Sequence, residues 1–155
     1  MRQSADTGHI GNEQGMTLIE LAVVLALTGI LSLFMGTELQ AMADRVYLDA
    51  AVTEVVGDLR YARTMAVREG EPIKVALGGD QPGVTLFRSS DPAQPAAPTR
   101  NLKDRGVLAI RSSGGLLLSF QPRGTSATPT TLTLEGRRGD QRVITVSFTG
   151  IVRAR

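Results

Sequence analysis

From Met16 to Thr37 the chain runs for 22 residues with a single charge, Glu20. As an α-helix this run is about 33 Å long, which matches a hydrocarbon core of about 30 Å, so it is predicted to span a bilayer. The carboxylate is the feature that a plain anchor does not explain. A glutamate near the membrane costs on the order of several kcal/mol unless it lies at the interface, is paired or is neutralised.

The helical pattern continues well beyond the apolar run. Leu48, Val52, Val55, Leu59, Ala62 and Ala66 recur at alternating spacings of four and three, one apolar stripe, while Asp44, Asp49, Glu54, Asp58, Arg60 and Arg68 largely take other faces. Gly70-Glu71-Pro72 is a firm stop. A helix from Met16 to Glu69 is about 80 Å long at 1.5 Å per residue. After Pro72 the pattern becomes β. Ile73, Val75 and Leu77 alternate with Lys74 and Ala76, and Val84, Leu86 and Phe87 suggest the return strand of a hairpin. Residues 89–99 hold three prolines and form a loop. Val107–Arg111 and Leu116–Phe120 read as a second hairpin about Ser112-Ser113-Gly114-Gly115. Thr130–Leu134 and Arg142–Phe148 read as two further strands. The expected fold is α+β, with the second half of a long helix packed through its stripe on one face of an antiparallel sheet. Ile73, Val75, Val107, Leu116, Leu118, Leu132, Leu134, Val143 and Ile144 are the candidate core.

Gly15 followed by Met16-Thr17-Leu18-Ile19-Glu20-Leu21 and an apolar helix resembles the type IV prepilin signal. The resemblance implies that a prepilin peptidase removes residues 1–15 by cutting after Gly15, and that the new amine of Met16 is then methylated. Met16 stands where the family usually has phenylalanine. The resemblance also implies that Glu20, at mature position five, serves filament assembly. Physically, a buried glutamate needs a cation, and the free amine of a neighbouring subunit supplies one, fixing axial register. Residues 16–37 would then be the transmembrane and filament-core helix, 38–71 an amphipathic stem, and 72–155 a β-rich periplasmic domain on a single-pass protein of the bacterial inner membrane.

The β-half resembles the GspH/FimT family of pseudopilins and minor pilins. It does so in Leu59-Arg60-Tyr61-Ala62-Arg63, Phe120-Gln121-Pro122-Arg123-Gly124 and Thr149-Gly150-Ile151-Val152-Arg153. The partners implied are the inner membrane, the prepilin peptidase and other pseudopilins or pilins in a hetero-oligomeric filament. FimT-like pilins carry a Gly-Arg-x-Arg motif associated with DNA binding. Here the matching positions read Gly150-Ile151-Val152-Arg153, so Ile151 replaces the first arginine.

Charge is distributed unevenly. Residues 16–99 hold ten acids and six bases, whereas residues 100–155 hold three acids and ten bases, nine of them arginine. Such a basic end suits either an anionic partner or a solvated β-surface. Arg137, Arg138 and Arg142 surround one turn, and Arg153 and Arg155 close the chain, so these five are the candidate DNA contacts. The chain has no cysteine, and its one histidine, His9, lies in the expected leader. Catalytic triads, most zinc sites and most general-base schemes therefore lack their residues. No cofactor and no enzymatic activity are expected. Two readings follow from the resemblance: a structural minor pseudopilin of a type II secretion system, helping to initiate or cap its pseudopilus, or a FimT-like minor pilin of a type IV pilus that contacts DNA during uptake.

Overall fold

The computed structural model describes residues 17–78 and 80–155, and the side chains of residues 34–38 are outside that description. A helix, α1, covers Leu18–Glu69. The chain divides into two compact units between Glu38 and Leu39. In the first unit, residues 17–33 are exposed along their whole length, leucines and valines included. Among the described residues no helix is long and apolar enough to cross a membrane. The expected span 16–37 takes in Met16 and the side chains of residues 34–37, which lie outside the described residues.

The second unit is the part of α1 from Leu39 onward together with eight strands. These are β1 (Ile73–Gly78), β2 (Gly83–Arg88), β3 (Arg100–Asn101), β4 (Val107–Ser112), β5 (Leu117–Phe120), β6 (Thr130–Gly136), β7 (Gln141–Val146) and β8 (Val152–Ala154). They form two antiparallel four-stranded sheets, ordered β3-β2-β1-β5 and β4-β6-β7-β8. The helix ends where its sequence says it should. Gly70 takes a left-handed conformation, φ +71°, and its N–H donates to the Ala66 carbonyl at 3.1 Å, after which Pro72 prevents continuation.

The stripe packs as expected. Leu48, Val52, Val55, Leu59, Ala62 and Ala66 are all buried in one core with Ile73, Val75, Leu118, Phe120, Leu132, Leu134 and Ile144. Strand alternation dictates which β residues join it, since every second side chain points to the same face. The first hairpin also forms as expected, with Ile73 opposite Arg88 and Leu77 opposite Val84.

Three expectations are corrected. The single sheet is two sheets. β4 and β5 do not pair as a hairpin, because β4 pairs with β6 and β5 with β1. The cause lies in the turn between them. The Thr130 hydroxyl accepts the Gly114 N–H at 2.9 Å and bonds the Ser112 hydroxyl at 2.9 Å, fastening the turn to β6. Chain leaving this turn is then taken up by β1, starting with the Leu77 N–H donated to the Leu116 carbonyl at 2.7 Å. Finally, Leu116 and Val143 are not core residues. Leu116 is 40% exposed just before β5 begins, and Val143 is half-buried on the face of β7 opposite Ile144.

Among the described residues no sheet edge presents a long regular strand. β3 has two residues and β8 three. β4 carries a bulge that sets Leu108 out of the ladder between Val107 and Ala109, and β5 is flanked by the Ala127 N–H donating to Ser119 at 2.8 Å.

Because Leu59 is fully buried in this core, Leu59→Ala is expected to lower the unfolding free energy by about 2–5 kcal/mol. Arg60→Ala, one position on and exposed, is expected to change it by no more than about 0.5 kcal/mol. Denaturant unfolding of the two variants measures both.

Candidate functional site

Glu20 opens the helix. Thr17 precedes α1, and its hydroxyl accepts the backbone N–H of Glu20 at 3.3 Å. Thr17-Leu18-Ile19-Glu20 thus has the spacing of a capping box, with the glutamate at the third helical position, where the helix dipole favours negative charge. That signal is legible in the sequence beside the prepilin pattern and gives Glu20 a local role as well. Its carboxylate has no ion-pair partner among the described residues. Gly15 and Met16, the expected cleavage and methylation positions, lie outside the described residues.

The acids of the stem explain much of the charge asymmetry. Every aspartate and glutamate of α1 from Leu39 onward faces an arginine of the β-half. Arg138 donates to Asp44 at 3.3 Å and Arg142 to Asp49 at 2.7 Å. Arg105 lies 2.7 Å from Glu54. Arg100 forks onto both oxygens of Asp58 at 2.8 and 3.1 Å. Arg88 forks onto Glu69 at 2.8 and 3.2 Å. In the reverse sense, Arg45 of the helix lies 3.9 Å from Asp140. The hydrogen bonds from Arg88 hold the Glu69 carboxyl below its ordinary value of 4.5. The Asp58 carboxylate likewise raises the Arg100 guanidinium, first through the hydrogen bond and then through charge.

The five expected DNA contacts therefore separate. Arg138 and Arg142 are turned to the stem. Arg137 is exposed and lies over Gly106. Arg153 and Arg155 form no ion pair with the described residues. Arg153 sits opposite Thr145 in the β7–β8 ladder, and Arg155 exchanges backbone hydrogen bonds with Val143 at 2.8 and 3.2 Å. Alternation puts both on the exposed face of β8, with Ile151. Thr145, Ser147, Thr149, Ile151 and Arg153 line a shallow groove there. Hydroxyls beside an unpaired guanidinium suit an oxyanion.

The three sequence marks of the β-half meet at one point. Arg63 of the helix donates to the Gly124 carbonyl at 2.8 Å. Gly150 takes φ +74° and lies so close that an added Cβ would collide with that same carbonyl and crowd the Arg63 guanidinium. The Ser126 N–H donates to the Phe148 carbonyl at 2.9 Å beside them. One side chain thus bonds the helix to one turn and packs close to a second that is far from it in sequence. The clasp lies within the part of the chain, residues 51–150, that matches the family described as type II transport protein GspH.

The chain belongs to the GspH family.

A second pattern, the prokaryotic N-terminal methylation motif, matches residues 10–36 of this GspH-family chain. The family consists of pilin-like structural subunits, minor pseudopilins and minor pilins, and not of enzymes. Among solved structures, the chain is similar to the type IV minor pilin FimU of Pseudomonas aeruginosa. The two are 21% identical over 74% of this chain and 92% of FimU, with a TM-score of 0.60. It is also similar to the minor pseudopilin EpsH of the type 2 secretion system of Vibrio cholerae, at 18% identity over 69% of this chain and 94% of EpsH, with a TM-score of 0.58. At these identities the likeness establishes the shared pilin-like fold. No curated protein matches the sequence.

The Glu69–Arg88 pair sets a pH dependence. A carboxyl lowered in the folded state contributes stability above its unfolded value, near 4.5, and loses it as pH falls through the lowered folded value. Glu69→Gln is therefore expected to be less stable than the parent at pH 7, with the gap closing in acid. A gap that is unchanged between neutral and acid unfolding curves would refute the assignment.

Proposed function

We propose that this chain is a minor pseudopilin of a type II secretion system. In this reading a prepilin peptidase cuts after Gly15 and Met16 is methylated. Residues 16–37 anchor the subunit in the bacterial inner membrane and later pack in the filament core. Residues 38–71 are the stem, and residues 72–155 form the periplasmic head. Assembly with other pseudopilins gives a hetero-oligomeric pseudopilus, with this subunit in the initiating or tip complex.

One observation carries the filament assembly in this reading, which a minor pilin would share. The start of α1 exposes Leu18, Ile19, Leu21, Val23, Val24, Leu25, Leu27, Ile30, Leu31 and Leu33, and the one charge among them, Glu20, has no partner within the chain's described residues. Apolar surface of that extent requires lipid or other helices around it. An unpaired carboxylate in the same surface requires a cation from outside the chain. The apolar helix of a neighbouring subunit meets the first requirement and its methylated amine the second.

A second reading rests on a different observation. Arg153 and Arg155 stand unpaired on one face beside hydroxyl groups, which favours a FimT-like minor pilin of a type IV pilus that holds DNA phosphates during uptake. Arg137 could add to such a surface. Arg138 and Arg142 contribute less, being committed to Asp44 and Asp49.

Intact-mass analysis of protein taken from its native membrane is expected to give a chain that starts at methylated Met16, and an N-terminus retained at Met1 beside an active peptidase refutes processing. Glu20→Ala and Glu20→Gln are both expected to be cleaved yet to enter filaments poorly. The glutamine keeps a side chain able to complete the capping box, so its failure isolates the charge. Titration of the full chain with duplex DNA at two salt concentrations separates the two readings. The pseudopilin reading expects no binding at low salt. The pilin reading expects salt-sensitive binding that Arg153→Ala with Arg155→Ala removes.

A further inference from the structure

The segment Pro98–Asn101 crosses beside the stem as a strap. The Arg100 fork on Asp58 pins it to the helix, and β3 pins it to Gly83 and Val84 of β2. Between strap and stem lies an open cavity with an apolar floor of Ala97 and Pro98 and a wall formed by Tyr61. Val84 and Leu86 beneath it are buried, whereas Tyr61 is half exposed. Its phenol hydroxyl makes no hydrogen bond among the described residues.

The charges around this cavity do not balance. Glu54, Asp58 and Asp104 face Arg100 and Arg105. Arg100 serves Asp58 and lies 3.7 Å from Glu54, and Arg105 serves Glu54. One carboxylate, that of Asp104 on the cavity's rim, is left without a partner among the described residues. Lys103 forms no ion pair with it and lines a neighbouring groove with Gln81 and Pro82. The side-chain amide oxygen of Asn101, Oδ1, is occupied by the Lys103 N–H at 2.9 Å.

An apolar floor, an aromatic wall and one uncompensated carboxylate at the mouth together describe a receptor for a long side chain with an apolar stem and a cationic head. We infer that this cavity receives a lysine or arginine side chain from an adjacent pilin-like subunit. The stem methylenes lie on Ala97 and Pro98, the cation reaches Asp104, and the Tyr61 ring offers its face to the charge. The proposal rests on the assembly reading, since it requires a neighbour whose head packs against this stem. It adds to that reading a contact at the level of the heads, separate from Glu20.

The test uses the full chain, isotope-labelled in detergent micelles, with N-acetyl-arginine methylamide as probe and N-acetyl-norleucine methylamide as the uncharged control. Saturable shifts at the amides of Tyr61, Asn101 and Asp104 are expected with the arginine probe alone. Binding is expected to weaken about fivefold or more in Asp104→Asn, the loss of one charge-assisted hydrogen bond, and to return in Asp104→Glu. No saturable response, an equal response to norleucine, or undiminished binding in Asp104→Asn overturns the site. In cells, Asp104→Arg is expected to reduce incorporation into filaments. Full incorporation of Asp104→Arg while Glu20→Gln is excluded overturns the docking site and leaves the assembly reading standing. Full incorporation of Glu20→Gln overturns the assembly reading, and the micelle titration still decides whether the cavity takes a cation.

Discussion

Burial of the stripe from Leu48 to Ala66 is the interaction on which the rest of the head depends. Neither sheet has a second layer of its own to pack on. Each must lay its apolar face on the helix, and the largest buried β residues, Phe120, Ile73, Leu118, Leu132, Leu134 and Ile144, do so. Apolar burial sets the energy scale here, at roughly 25 cal/mol per Å² removed from water. The ion pairs along the helix flanks are partly solvated and add far less apiece. Their contribution is positional. A stripe of aliphatic side chains tolerates sliding and rotation, whereas five carboxylates that each meet a particular arginine fix one rotation and one axial setting.

Arg63 has a different part. It sits at the edge of the stripe and reaches across to Gly124, where the chain turns after β5, and to Gly150, where it turns after β7. Those turns belong to different sheets. The clasp therefore couples the two sheets to each other through the helix, and the tightness of the packing leaves no room for a side chain at Gly150. That geometry accounts for sequence marks that read as unconnected fragments along the chain.

Local features were legible in the sequence. Periodicity gave the stem and its stop at Gly70, and alternation gave β1, β2, β6 and β7 with most of their buried residues. What escaped was the long-range arrangement. Nothing in Ser112-Ser113-Gly114-Gly115 distinguishes a hairpin turn from a divergence, because the deciding partner, Thr130, lies sixteen residues from Gly114. Charge was harder still. The basic C-terminal third suited either an external anion or a solvated β-surface, whereas Arg100, Arg105, Arg138 and Arg142 find their anions on the stem. Composition cannot separate a surface that recruits a ligand from one that complements another part of the same chain. The capping box at Thr17 was readable and was masked by the stronger prepilin pattern over the same residues.

The bulge at Leu108, together with the shortness of β3 and β8, bears on how such heads behave when crowded. A regular exposed strand is a template on which the next chain can crystallise its own backbone, and a β-rich head without such a strand offers no template. Subunits held side by side at high local density can then touch through side chains alone, which release as readily as they form. Reversibility of that kind is what distinguishes a polymer that can be built and dismantled from an amyloid that only grows.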